Sequence, residues 1–178
     1  SRSSQLEHDL RTAPDNGQLW LAYQPILDLR SNRAEAVEGL PQWTHPRHGA
    51  IAPPEFIALA EESDLIDLIG RHILRMSAEQ VVRLRARRHP DLLLAVNLSA
   101  RQLEDPSLTA HIRHTLAATW LPPNALCLEI PESALARDPV VTGRTITRLR
   151  ELGVRLAIDN FGTGHSALAQ LLRLPLDA

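Results

Sequence analysis

Three apolar runs constrain this chain more than any other feature: each ends on an oxygen-bearing side chain, and stretches of helical periodicity separate them. Leu94-Ala95-Val96 runs into Asn97, Leu126-Cys127-Leu128 into Glu129, and Leu156-Ala157-Ile158 into Asp159. Short continuous apolar runs fit strands buried on both faces. Alternating with helices, they call for right-handed crossovers and a mostly parallel sheet, hence an α/β fold. Upstream, Ala36-Val37 runs in the same way into Glu38, and Glu132 stands three residues after Glu129. In a parallel barrel the carboxyl ends of neighbouring strands meet at one rim, so Glu38, Asn97, Glu129 and Asp159 are expected to converge there.

The first part of the chain reads differently. Ser4–Ala13 has Leu6 and Leu10 on one helical face, and Asp15-Asn16-Gly17 ends it as a turn. Residues 1–18 are therefore expected to form an N-terminal helix and linker, with the domain proper over 19–178. Trp20–Leu29 and Ala34–Trp43 read as strands joined across Ser31-Asn32, a connection short enough to imply an antiparallel hairpin. Pro53-Pro54 opens a helix to Glu62, and Asp64 is expected to cap a longer one to Arg88. Arg85, Arg87, Arg88 and His89 crowd the last turn of that helix and read as a solvated, dipole-favoured end rather than a phosphate patch. Asp105-Pro106 and Asp138-Pro139 each read as an N-cap and first helical residue, for helices to about Trp120 and to Gly153. His165–Arg173 is expected to be helical.

Composition excludes several classes. With 44% hydrophobic and 22% charged residues the chain reads as an ordinary globular protein. No apolar run approaches the roughly 18 residues needed to cross a bilayer, and no signal-peptide pattern opens the chain. A net charge of −2 does not point to a general nucleic-acid binder. The single cysteine, Cys127, allows no internal disulfide and reads as a small buried hydrophobe, so a reducing, cytoplasmic setting is expected. The chain begins Ser-Arg-Ser-Ser with Met76 as its only methionine, and is expected to be part of a longer protein.

The converging side chains carry the chemistry. Any one of these acids could merely cap the next helix. Four together, each after an apolar strand, favour a bound divalent cation, because packed carboxylates repel and are costly to bury. The ligands are hard oxygens without cysteine or histidine, which points to Mg²⁺ or Mn²⁺ rather than Zn²⁺. Such ions activate a water and neutralise charge on a phosphoryl oxygen. His45, His48 and His165 fall in loops near this rim and read as surface histidines.

Seven motifs in order then resemble one family. They are Y-Q-P-I at Tyr23–Ile26, E-G-L at Glu38–Leu40, W-T-H-P at Trp43–Pro46, P-P-E-F-I at Pro53–Ile57, V-N-L-S at Val96–Ser99, L-E-I-P-E-S at Leu128–Ser133 and D-N-F-G-T-G at Asp159–Gly164. Together they resemble the bacterial EAL domain, a metal-dependent phosphodiesterase of cyclic di-GMP built as a modified TIM barrel with its first strands antiparallel. The resemblance implies that Glu38, Asn97, Glu129 and Asp159 hold a first Mg²⁺ or Mn²⁺. Asn160 stands where a second aspartate serves a second metal, and Glu132 lies beside this set. Gln24, Leu40 and Gln42 stand on the substrate side. The loop Phe161, Gly162, Thr163, Gly164 matches one that links the metal site to dimerisation. The implied reaction is hydrolysis of one phosphodiester bond to linear pGpG, within a larger multidomain signalling protein.

Departures from the family pattern qualify that reading. Gln42 replaces an arginine expected to pair with substrate phosphate, and a neutral amide cannot supply the bidentate charged contact. Pro131 replaces a threonine and lacks a backbone donor. Asn160 removes one negative charge. The sequence supplies about five of eight barrel strands, without the strands in which the family carries its catalytic lysine and a later glutamate and glutamine; closed barrels of this type typically need about 250 residues. The expectation is therefore a degenerate or incomplete domain with little or no phosphodiesterase activity. It would either bind cyclic di-GMP without turnover or associate with a partner through the open edge near Leu168–Leu176.

Overall fold

The computed structural model describes residues 1–159 of the chain. One sheet organises it, with strand order β1 (Leu19–Leu27), β2 (Ala34–His45), β4 (Leu93–Asn97), β5 (Leu126–Pro131) and β6 (Arg155–Asp159); β3 (Gly49–Ile51) pairs with β2 to one side of that path. β1 and β2 form the antiparallel hairpin expected from the short Ser31-Asn32 connection, and Asn32 adopts a left-handed φ of 52° in the turn. From β2 onward the main path is parallel: β2 with β4, β4 with β5, β5 with β6. This is the barrel-type α/β arrangement expected from the sequence.

The helices cover one face. α3 (Ile66–Arg87), α5 (Leu108–Thr119) and α7 (Pro139–Glu151) are the long crossovers. Their apolar stripes meet Val37, Leu94, Val96, Leu126, Leu128, Ile130 and Leu156 in one buried cluster. These strand residues alternate with Ala36, Ala95, Cys127 and Glu129, which therefore sit on the opposite, inner face. A second cluster joins Leu6 and Leu10 of α1 (Arg2–Thr12) to Trp43, Ile51, Phe56 of α2 (Pro53–Glu62) and Ile69 of α3. Trp43 anchors it: its indole donates to Gln18 Oε1 at 3.2 Å and meets the Phe56 ring edge-on at 6.0 Å.

Several local expectations are corrected. Asp64 does not cap α3. It takes a left-handed φ of 60°, its carboxylate pairs with Arg101 instead, and Leu65 stands at the helix start. Asp105-Pro106 does not open α5, which begins at Leu108. The Asp105 carboxylate accepts from the Ser107 amide at 2.9 Å and hydroxyl at 2.7 Å, a local turn that competes with helix. A separate helix, α4 (Ala100–Glu104), precedes it. α6 (Glu132–Arg137) and β3 are likewise elements that periodicity did not signal. Asp138 does cap α7, its side chain accepting from the Val141 amide at 3.1 Å with Pro139 in the first turn.

His45 is not a surface histidine. It is 2% exposed, and its Nδ1 accepts the backbone amides of Arg47 and His48 at 3.1 and 3.2 Å. The Nε2 must then carry the proton, which it donates to Asp9 Oδ2 at 3.0 Å, tying α1 to the end of β2. His48 is exposed beside it, ring centroids 4.7 Å apart, and His165 lies outside the described residues.

Candidate metal and nucleotide site

The ladder decides which residues share the inner face, because residues in register on adjacent strands point the same way. Asn97 pairs with Glu129, and Glu38 pairs with Ala95, two residues before Asn97. Period-two alternation therefore puts Glu38, Asn97 and Glu129 on one face, at the carboxyl ends of three neighbouring strands. Asp159 ends β6 at the register position of Pro131, two residues beyond Glu129. The positions climb from β2 to β6 as the stagger of a closing barrel requires.

The side chains bear this out where they are described. Asn97 Nδ2 donates to Glu38 Oε1 at 2.6 Å across the β2–β4 boundary. Glu129 is 7% exposed, and burying a carboxylate in an apolar sheet costs several kcal/mol unless opposite charge or hydrogen bonds offset it. Among the described residues no group of three or more His, Cys, Asp and Glu side chains gathers in metal-binding fashion, since this patch holds two carboxylates and one amide. Such a donor set, all oxygen apart from the amide nitrogen, suits a hard cation rather than zinc.

The substrate-side candidates fall on the same strands. Gln24 pairs directly with Glu38 across the antiparallel hairpin and so shares its face. Leu40 and Gln42 come after Glu38 at steps of two along β2, on that same face, and Gln42 Nε2 donates back to the Leu40 carbonyl at 3.4 Å. Pro131 closes β5, and Glu132 is exposed in the first turn of α6 rather than at the strand face. Asn160 and the loop Phe161, Gly162, Thr163, Gly164 lie outside the described residues.

A capping box just past Asn97 stiffens that strand end. The Ser99 hydroxyl accepts from the Gln102 amide, and the Gln102 side chain accepts from the Ser99 amide. The S-x-x-Q spacing is the sequence signal for it, and sequence reasoning missed it. Beside it opens a cavity of about 850 Å³, lined by Leu40, Pro53, Ile57, Asn97 and Arg101 among others, a volume in the range of small-molecule sites. Asp67 and Asp105 also line it. Burial, helped by the neighbouring Asp105 charge, raises the Asp67 carboxyl above its ordinary value. Burial acts against Asp105 as well, but hydrogen bonds from Ser107 hold that carboxyl below its ordinary value.

Cys127 sits on the inner face two residues before Glu129 and is fully buried. Burial, with the Glu129 charge adding to it, pushes the thiol up to about 12 from 9.0. At pH 8 its thiolate fraction then falls about a thousandfold. Iodoacetamide is therefore expected to label the folded chain at least about a thousandfold more slowly than the urea-unfolded chain. Comparable rates in the two states would show that Cys127 is accessible and ionised.

Comparison with known proteins agrees with this architecture. The EAL domain family model matches residues 7–178. The cyclic di-GMP phosphodiesterase NbdA of Pseudomonas aeruginosa is 43% identical over 174 residues, which cover 98% of this chain and 22% of that protein. The bifunctional diguanylate cyclase/cyclic di-GMP phosphodiesterase MucR of the same organism is 40% identical, over 96% of this chain and 25% of its own length. The chain thus spans about a quarter or less of these relatives. The solved c-di-GMP complex of the PaMucR phosphodiesterase superposes with a TM-score of 0.84 at 40% identity, over 96% of this chain and 69% of that one. A FimX EAL domain superposes at 0.79 and 28% identity, over 95% and 68%. A chain with this sheet, these strand ends and this family match belongs to the EAL domain family.

Proposed function

We propose that this chain binds cyclic di-GMP at the carboxyl-end rim of its parallel strands, together with Mg²⁺ or Mn²⁺, and hydrolyses it poorly or not at all. The observation that carries the reading is the shared face of Glu38, Asn97 and Glu129, with Glu38 and Asn97 joined at 2.6 Å. Glu38, Asn97, Glu129 and Asp159 are the residues that would hold the ion, with Asn160 toward a second one. When bound, the ion supplies an activated water and offsets charge on a phosphoryl oxygen.

The protein's own groups do the rest. The Asn97 amide orients the Glu38 carboxylate by donating to it. Gln24, opposite Glu38, offers donors and an acceptor to a nucleotide laid across the rim. Leu40 supplies apolar contact beside the cavity. The weak points are Gln42, which has no charge to offer a phosphate, and Asn160, which removes a negative charge from the ion site. In the same proposal the module works within a multidomain signalling protein and pairs with a second copy through the Phe161–Gly164 loop; a purely monomeric chain in sedimentation at high concentration would refute the pairing.

Calorimetry with cyclic di-GMP in Ca²⁺ is expected to give saturable binding, and turnover in Mn²⁺ to give little linear product. Absence of binding overturns the reading. Rapid turnover would instead support a second one, full phosphodiesterase activity, which the 43% identity to NbdA favours. Gln42→Arg is expected to tighten cyclic di-GMP binding about tenfold, the low end for a hydrogen bond to a charged group. Unchanged affinity would place residue 42 away from the phosphates.

A further inference from the structure

We propose that the amino-end rim of the parallel strands is a docking face for an anionic phospholipid surface. The connections entering β4, β5 and β6 all lie at this rim, opposite the one bearing Glu38, Asn97 and Glu129. Arg87 and Arg88 end α3, Arg148 and Arg150 lie in the last turn of α7, and Arg155 opens β6; all are exposed. Asp91 and Glu151 are the carboxylates in the same connections, so a chain of net charge −2 concentrates positive charge here. Among the described residues Arg87, Arg88, Arg148 and Arg150 hold no carboxylate within ion-pair distance.

Helix dipoles account for arginines at helix ends, but not for what stands between them. Trp120, the residue past α5, is 86% exposed with a left-handed φ of 63°, a backbone conformation that disfavours side chains with a Cβ. The connections entering β5 and β6 touch one another: Arg155 Nε donates to the Asn124 carbonyl at 2.9 Å, and a Cβ on Gly153 would stand 3.5 Å from Pro123. An exposed indole in the connection entering β5, between the arginine-bearing connections of β4 and β6, matches the headgroup region, where tryptophan prefers the interface and each nearby cation adds attraction to anionic lipid. Single-stranded nucleic acid would instead favour a series of stacking aromatics, and among the described residues this rim has one. Docking this way leaves the opposite rim open to solvent and to a soluble nucleotide.

Co-sedimentation of the 178-residue chain with vesicles tests the proposal. Binding is expected to phosphatidylcholine vesicles with about a third phosphatidylserine and not to phosphatidylcholine alone, and to fall with salt. Arg87→Gln with Arg88→Gln is expected to weaken it about twenty-five-fold, roughly fivefold per charge. Trp120→Gly suits the left-handed backbone, so circular dichroism should be unchanged while vesicle binding drops. Equal binding to neutral vesicles, no effect of the arginine pair, or tighter capture of an oligonucleotide than of vesicles would each overturn it.

Discussion

Glu129→Gln is expected to keep the fold while abolishing the stabilisation expected of Mn²⁺ in the unaltered chain. The amide has nearly the volume of the carboxylate, so packing at this 7% exposed position is preserved. What is lost is the negative charge at the centre of the proposed ion site, on β5 between Asn97 and the Asp159 strand end. A ligand at a hundred times its dissociation constant stabilises a native state by about 2.7 kcal/mol. For a chain of this size that is a rise in melting temperature of roughly 5–10 °C. Thermal scans with and without Mn²⁺ should show that rise in the unaltered chain and none in the variant. A full rise in Glu129→Gln would take this carboxylate out of the ion site.

Gly39→Ala is expected to destabilise the chain by about 1–3 kcal/mol. Gly39 faces the helices, and a Cβ there would stand 2.7 Å from Ser77 Oγ. Ser77 is fully buried on α3, and its hydroxyl already donates to the Ile73 carbonyl at 2.7 Å. Rotating it away would break that bond; leaving it would push β2, and Glu38 with it, off the sheet. The double variant Gly39→Ala/Ser77→Ala removes the obstructing oxygen and should cost less than the two single changes added together, with a coupling of about 1 kcal/mol in urea denaturation. Strict additivity would show that Ser77 does not dictate glycine at residue 39.

Those two residues also mark what the sequence could and could not carry. The parallel strands were legible because Leu92–Val96 and Leu126–Leu128 are apolar on both faces, which only a covered sheet explains. The carboxyl-end residues were legible because each interrupts such a run. Gly39 gave no local reason for being glycine, since its cause lies on α3, far along the chain. His45 looked like a loop residue because the Asp9 that partners it comes from α1. Asp64 and Asp105 both have cap-forming side chains, and each was drawn off by another partner: the remote Arg101 in one case, and in the other Ser107, in a local turn that competes with the cap.

The two separate apolar clusters have a consequence for how the molecule opens. The group around Trp43 joins α1, β3 and α2, whereas the other clamps the parallel strands beneath α3, α5 and α7. Amide hydrogen exchange should therefore fall into two tiers, with α1 and α2 exchanging through a partial opening that leaves β4 and β5 protected until the whole chain melts. The strand ends bearing Asn97 and Glu129 would then belong to the slow tier, while the residues framing one wall of the neighbouring cavity belong to the fast one.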